Sequence, residues 1–435
     1  MQSSGARAGA PARAVSPTLA VGGTVGNMER RCLWRAAALA CGLAAHVSAQ
    51  GEPPREWIEP LTRHRVVRLS DEPGSASLYF HQNGYTAEGD KLLFSTPGGL
   101  ATVDLRTRRI EPVVRGRASH VLVGPKSRQA FYIKDGTVYA THLDTLQTRA
   151  IVNRPELRSG SGLTVNADET LLAGSYVEGA IRPPSPPGNP LAQPPPQESR
   201  LEARWAARLP MQLYTIDVKS GEVRPFHKGN GNWLNHVQFS PTDPALLMFC
   251  HEGPWHKVDR IWTIRTDGSG LRLMHARTME MEIAGHEFWS PDGKTIWYDL
   301  QTPKGQAFWL AAVAYGGGTT IRYKLPREHW SVHFNVSRDG KLFAGDGGGP
   351  RSVAAPGNGQ WIYLYRTRGG ALEVERLVDL SKHDYRLEPN VTFTPDGKWI
   401  VFRSNMHGAS HVYAVEVERA AAPRPGSVQR PAPQK

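Results

Sequence analysis

Cysteine is nearly missing from this chain, with three in 435 residues, and two of them, Cys32 and Cys41, fall in the first fifty. Those fifty contain "MERRCLWRAAALACGLAAHVSAQ", in which a basic start at Met28 runs into a short apolar stretch and then Val47-Ser48-Ala49. That is the pattern of a secretory signal cleaved after Ala49, with residues 1–49 as leader and Met28 as the true start. Cleavage leaves Cys250 alone, which excludes an intrachain disulfide. Beyond the leader no apolar run is long enough to span a membrane, so the expected location is the periplasm or the outside of the cell.

Acidic groups are also in deficit: 40 Asp and Glu against 52 Lys and Arg, a formal charge of +12. Such a balance attracts polyanionic sugars, nucleic acids and anionic membranes alike. No basic run is interleaved with aromatics, and the arginine excess lies at the two ends and in Arg106 to Arg117, so nucleic acid is not an expected partner. Two catalytic frameworks are missing as well. The "SGSG" at Ser159 to Gly162 lacks the nucleophile-elbow pattern, and too few residues follow the last repeat to build a hydrolase domain.

What is present is a repeat. "HEFWSPDGKTIWYD" at His286 ends in strand, polar turn and strand, and its ending recurs from Tyr85, Leu122, Thr164, Val237, Phe334 and Val391, seven copies in all. Most copies are followed by a second hairpin, such as "LYTIDVKSGEVRPF". Four strands per repeat and seven repeats predict an all-β, seven-bladed propeller of four-stranded antiparallel blades over residues 57–419. The final repeat, ending in "HVYAVEVE", lacks a fourth strand, and the orphan "HRVVRLS" at His64 to Ser70 is expected to supply it and close the ring. The Pro-rich stretch 181–199 reads as an extended loop, and 420–435 as a disordered tail.

A propeller core asks for apolar inner strands, yet five repeats open with polar residues at the same place: His81 and Gln82, His236, His286 and Glu287, His333, Glu388 and Asn390. Equivalent positions of different blades converge at one mouth of the central channel. A single histidine there is most simply a channel lining; polar groups in five blades point to a binding or catalytic mouth. "CHEGPW" adds His251 and Glu252 one strand later.

At these residues the chain resembles the oligogalacturonate lyase family, seven-bladed propellers that cut short pectin fragments by β-elimination. "WLNHVQFSP", "FCHEGPW", "HEFWSPDG" and "GDGG" occur in the family's order, between about Trp57 and Val417. The resemblance implies that His236 is the catalytic base, that Arg208 neutralises the substrate carboxylate, and that His286 is a metal ligand. Where well-known members have Gln-x-x-His-x-His, the last repeat here places Tyr385, Glu388 and Asn390. On this reading Glu388 and Asn390 complete a site for a divalent cation, Mn²⁺ or Ca²⁺, with His81, Gln82, His251, Glu252 and His333 expected around an acidic oligosaccharide. The competing reading is a non-catalytic binding propeller of the periplasmic translocation type, which uses the same "SPDG" repeats without chemistry.

Overall fold

The computed structural model describes residues 52–179, 197–317, 320–350, 352 and 360–421. The expected leader, most of the Pro-rich stretch and the tail beyond residue 421 lie outside the described residues. The last part of that stretch is not an extended loop, since a helix runs over Gln197–Ala206.

The repeated turn explains the repeated hairpin. In "SPDGK" the Ser290 hydroxyl donates to Asp292 Oδ1 at 2.6 Å, and that oxygen accepts the Lys294 N–H at 3.1 Å. Ser290 Oγ in turn accepts the Thr295 N–H at 3.0 Å. Gly293 sits between them at φ +67°, a backbone state that favours glycine. The same three bonds recur at Ser337, Asp339 and Leu342 (2.7, 3.2 and 3.0 Å) and at Thr394, Asp396 and Trp399 (2.6, 3.1 and 3.1 Å). A short polar side chain, an aspartate and a glycine thus close these three hairpins locally.

Seven antiparallel sheets follow. Blades 2 to 6 have four strands each and begin at Ser119, Ser161, Trp233, Ile283 and Phe334. Blade 1 has three, starting at Lys91, and its inner segment touches them only through single bridges, Ala76 to Ser95 and Tyr85 to Leu92. Between those bridges the chain leaves the ladder and turns at Tyr79–Gln82, where the Gln82 N–H bonds to the Tyr79 carbonyl at 2.8 Å.

Blade 7 closes the ring. His64–Arg68 runs antiparallel to His411–Arg419, pairing Val66 with Val415 and Val67 with Ala414. Buried His64 locks the join, with Nδ1 2.8 Å from the Glu416 carbonyl and Nε2 3.2 Å from Glu375 Oε1. A fifth strand, Glu56–Ile58, adds to the outside of this sheet. Apolar clusters fill the interfaces between neighbouring blades; the one across the closure joins Val67, Leu69, Val401 and Val412 to Tyr85, Leu92 and Phe94. Burying such faces is the main favourable term holding the ring.

Candidate active site

The inner strands of four consecutive blades carry one residue more than their partners: between Ser119 and Leu122, Ser161 and Thr164, Asn235 and Gln238, and Gly285 and Phe288. Within each bulge one residue has positive φ: His120 (+52°), Gly162 (+71°), His236 (+47°) and His286 (+48°). Asn390 in blade 7 shares this state at +53°. For a residue other than glycine it costs on the order of 1–3 kcal/mol, and such strain concentrates at functional sites. The bulge re-aims these side chains away from the sheet.

His286 and His333 meet in this mouth, ring centroids 4.4 Å apart. Each is held from behind. His286 Nδ1 lies 2.8 Å from Asp299 Oδ1, and His333 Nδ1 lies 2.7 Å from Asp346 Oδ2; both carboxylates are buried. An aspartate accepting from Nδ1–H leaves the lone pair on Nε2, the arrangement that orients metal-ligating histidines. Glu388 Oε2 lies 3.8 Å from His333 Nε2 with its side chain 46% exposed, so it is free to move onto an ion. Two imidazole nitrogens and a carboxylate form a donor set that fits a divalent cation.

The neighbouring residue serves a different partner. Glu287, fully buried, lies 3.0 Å by Oε1 from His236 Nδ1 and 3.5 Å by Oε2 from Arg260 Nη2. Arg260 also bonds Glu252, stacks on Trp255 at 4.4 Å, and is itself buried. Burial alone would raise the Glu287 carboxyl, but the Arg260 charge and the His236 bond outweigh it and hold the group well below the usual carboxylate range. Glu252 is lowered by the same balance of burial against Arg260. Burial pushes the Cys250 thiol well up, so it stays protonated. Among the described residues, His236, Cys250 and Glu287 form the one group of three His, Cys, Asp or Glu ligand atoms within 4.8 Å of one another. The Arg260 guanidinium already supplies the positive charge there, so we read it as an ion-pair network.

The turn from blade 1 caps both halves. Tyr79 Oη lies 3.4 Å from His333 Nε2, the Phe80 ring packs 4.8 Å from His333, and His81 lies 5.7 Å from His236. Burial, then the nearby His236, lowers His81 to about 3, which keeps it neutral. A cavity of about 410 Å³ borders this turn, lined by Phe80, His81 and Gln82 and by inner-strand ends of other blades, among them Ser240 and Ser290.

The expected site residues do not all converge. His81, His236, His286, His333 and Glu388 converge as described. Asn390 is buried and its amide is engaged by the backbone: Oδ1 accepts from Phe80 N–H at 3.1 Å and Nδ2 donates to the Glu388 carbonyl at 3.1 Å. It therefore shapes the turn and the Glu388 loop rather than presenting a free ligand. Glu252 is an internal anchor, and Gln82 lines that cavity. His251 is not brought to the mouth, because alternation along the strand sends it to the opposite face from Cys250 and Glu252, where it packs 4.8 Å from Trp262. Arg208 lies exposed just after the helix, its guanidinium 4.3 Å over Trp205; Trp205 borders Gly253, next to Glu252.

Arg260 and four further contributors escaped the sequence reading. Asp299 lies on the second strand of blade 5 and Asp346 just beyond the end of the second strand of blade 6. Tyr79 stands two residues before His81. Arg403 donates through Nε to the Glu388 carbonyl at 2.7 Å and through Nη1 to the Ser77 carbonyl at 3.1 Å, bringing a second arginine to the mouth.

Comparison with known proteins bears on the propeller as a whole. The family model described as oligogalacturonate lyase matches residues 57–421. The oligogalacturonate lyase of Dickeya dadantii (strain 3937) is 27% identical over 398 residues, covering 82% of this chain and 95% of that protein. An oligogalacturonide lyase of Pectobacterium atrosepticum is 26% identical over 364 residues, covering 78% and 89%. Among solved structures, an oligogalacturonate lyase in complex with manganese superimposes with TM-score 0.71 at 25% identity, covering 83% of this chain and 96% of that one. A second, from Vibrio parahaemolyticus, gives 0.70 at 24%, covering 83% and 96%.

Proposed function

The chain belongs to the oligogalacturonate lyase family, and we propose that its histidine mouth cleaves uronate oligosaccharides with His236 as base and a cation on His286, His333 and Glu388. The observation that carries this reading is the pair of histidines, each fixed through Nδ1 by its own buried aspartate and facing the other at 4.4 Å. Mn²⁺ is the ion we favour, since the donor set mixes imidazole with carboxylate, which suits a transition metal better than Ca²⁺. His333 thus takes the place that the sequence reading gave to Asn390.

Elimination removes the C5 proton beside the uronate carboxylate and breaks the C4–O bond. The C–H electron pair becomes the C4=C5 double bond, the pair of the broken bond leaves on the sugar oxygen, and water protonates that oxygen. Negative charge gathers on the carboxylate as C5 loses its proton, and that charge is what the site must stabilise. A bound cation supplies Lewis-acid stabilisation there. His236, its Nδ1 turned to Glu287, presents Nε2 as the proton acceptor, the part of a general base. Arg208, just after the helix, and Arg403, at the Glu388 loop, are the arginines we assign to the carboxylates of the substrate. The positive net charge favours the approach of an acidic oligosaccharide. A secreted or periplasmic site of action is consistent with the leader sequence.

The test is the ultraviolet absorbance of the C4=C5 product on a panel of uronate oligomers, with and without added Mn²⁺ after chelation. Metal-dependent product from galacturonate oligomers is expected. No product from any uronate, with metal present, would overturn the reading and return the chain to the binding-module class.

A further inference from the structure

Glu287 touches no part of the channel surface, yet it is the residue through which His236 is fixed. Its Oε1 lies 3.0 Å from His236 Nδ1, and its Oε2 faces Arg260 Nη2 at 3.5 Å. Both Glu287 and Arg260 have no exposed side-chain surface, whereas the His236 side chain is 16% exposed. The inner strand holds Glu287 still from its other side, because Gln238 Nε2 donates to the Glu287 carbonyl at 2.8 Å. A charged carboxylate accepts only, so the proton of neutral His236 must sit on Nδ1 and the lone pair on Nε2. That nitrogen lies 4.0 Å from Glu252 Oε2, too far for a hydrogen bond.

We propose that Glu287, clamped by Arg260, is a positioning residue that fixes the His236 ring with Nε2 bare toward the channel and stabilises the imidazolium formed when that nitrogen takes the C5 proton. The inference rests on His236 being the base. It answers why a histidine and a glutamate stand side by side in "HEFW": the bulge at His286 sends the two side chains to different partners, one to the cation and one to the base. Around His236 the charged and titratable groups are Glu287 from blade 5, Glu252, Arg260 and Cys250 from its own blade, and Tyr79 and His81 from the blade 1 turn. Arg260 is shared between the two glutamates, so the pocket holds about one net negative charge, which offsets the positive charge the ring gains with the C5 proton. The proton passes from C5 to Nε2 and from there to solvent between turnovers; Glu287 keeps its own charge throughout.

Glu287→Gln keeps the volume and removes the charge. Expected are wild-type metal content and KM, a kcat lower by about ten- to a hundredfold, and an acidic limb of kcat/KM moved to lower pH. The sign follows from the charge: without the carboxylate the imidazolium is less stable, so His236 loses its proton at lower pH. Glu287→Asp, which restores the carboxylate, should return the limb toward its wild-type position. Nitrogen NMR of the histidine rings in the wild-type protein gives a reading independent of any variant, and neutral His236 should be the Nδ1–H tautomer. An Nε2–H tautomer, or Glu287→Gln with unchanged kcat and pH profile, overturns the inference. If His236→Ala is inactive in that case, the base assignment survives and only the role of Glu287 falls; if His236→Ala is fully active, both fall.

Discussion

His286 and Asp299 face each other across two adjacent strands of blade 5, Nδ1 to Oδ1 at 2.8 Å, and the aspartate has no exposed side-chain surface. A carboxylate is not buried in a propeller blade for packing, since removing a charge from water is costly unless a partner needs it. The same relationship in blade 6, between His333 and Asp346, makes the pair a device with two arms.

Removing either arm should remove the cation. His286→Ala and His333→Ala are each expected to lose bound metal, measured by elemental analysis, and to lose the rise in melting temperature that Mn²⁺ gives the wild type. At a hundredfold excess over Kd that rise corresponds to about 2.7 kcal/mol. Asp299→Asn should weaken metal binding by roughly 10–100-fold without abolishing it. Asn390→Ala should leave the ligands in place and act mainly through the Phe80 turn.

His236→Ala is expected to keep its metal and its melting temperature while turnover falls by about 10² to 10⁴, the share of a positioned general base. Arg208→Ala should raise KM as well as lower kcat, and Arg403→Ala should do so more strongly, because its guanidinium also holds the Glu388 loop through two carbonyls. Steady-state kinetics on one galacturonate oligomer would compare the three.

Closure can be tested without touching the mouth. Val66 is fully buried where His64–Arg68 joins the last blade, so Val66→Asp puts a charge without a partner into the seam. A loss of roughly 3 kcal/mol or more, or insoluble protein, is expected, read as the urea midpoint. A stable, soluble variant would show that the seam carries little of the fold's stability.

Acid should destabilise the fold through its neutral histidines. Burial is the first cause that lowers His81 to about 3 and His251 to about 4. Both values lie below the unfolded value of roughly 6.5, so the stability these groups contribute is full above pH 6.5 and is lost as pH falls toward 3 and 4. Over that window each contributes a slope of about 1.4 kcal/mol per pH unit. Chemical denaturation from pH 7 to pH 4 should show the slope, and His81→Gln with His251→Gln should flatten it.

The blades were legible because their signals are local: in the repeats at Ser290, Ser337 and Thr394 a serine or threonine, an aspartate and a glycine at fixed offsets close the hairpin with their own bonds, and polar turns stand at the same place in the others. Closure was legible for a related reason, since one strand too few at one end matched one too many at the other. The fifth strand at Glu56–Ile58 was not, because three residues carry no periodicity. In the mouth, the converging histidines could be read from their shared place in the repeat, whereas Asp299 and Asp346 could not, since nothing in a sequence says which strand faces which ring. His251 was misplaced because neighbouring residues on a strand face opposite ways. The helix at Gln197–Ala206 was hidden by the prolines before it.

The bulges at His120, Gly162, His236 and His286, with Asn390 at the equivalent place, separate the direction a side chain takes from its identity. The backbone fixes the direction, and the residue type is then free to change without rebuilding a blade. The ring therefore works as a set of addresses around one axis, some holding a base or a ligand and others, such as Gly162, holding no side chain at all. A scaffold of this kind can change its chemistry one address at a time, and Gly162 is a vacant one.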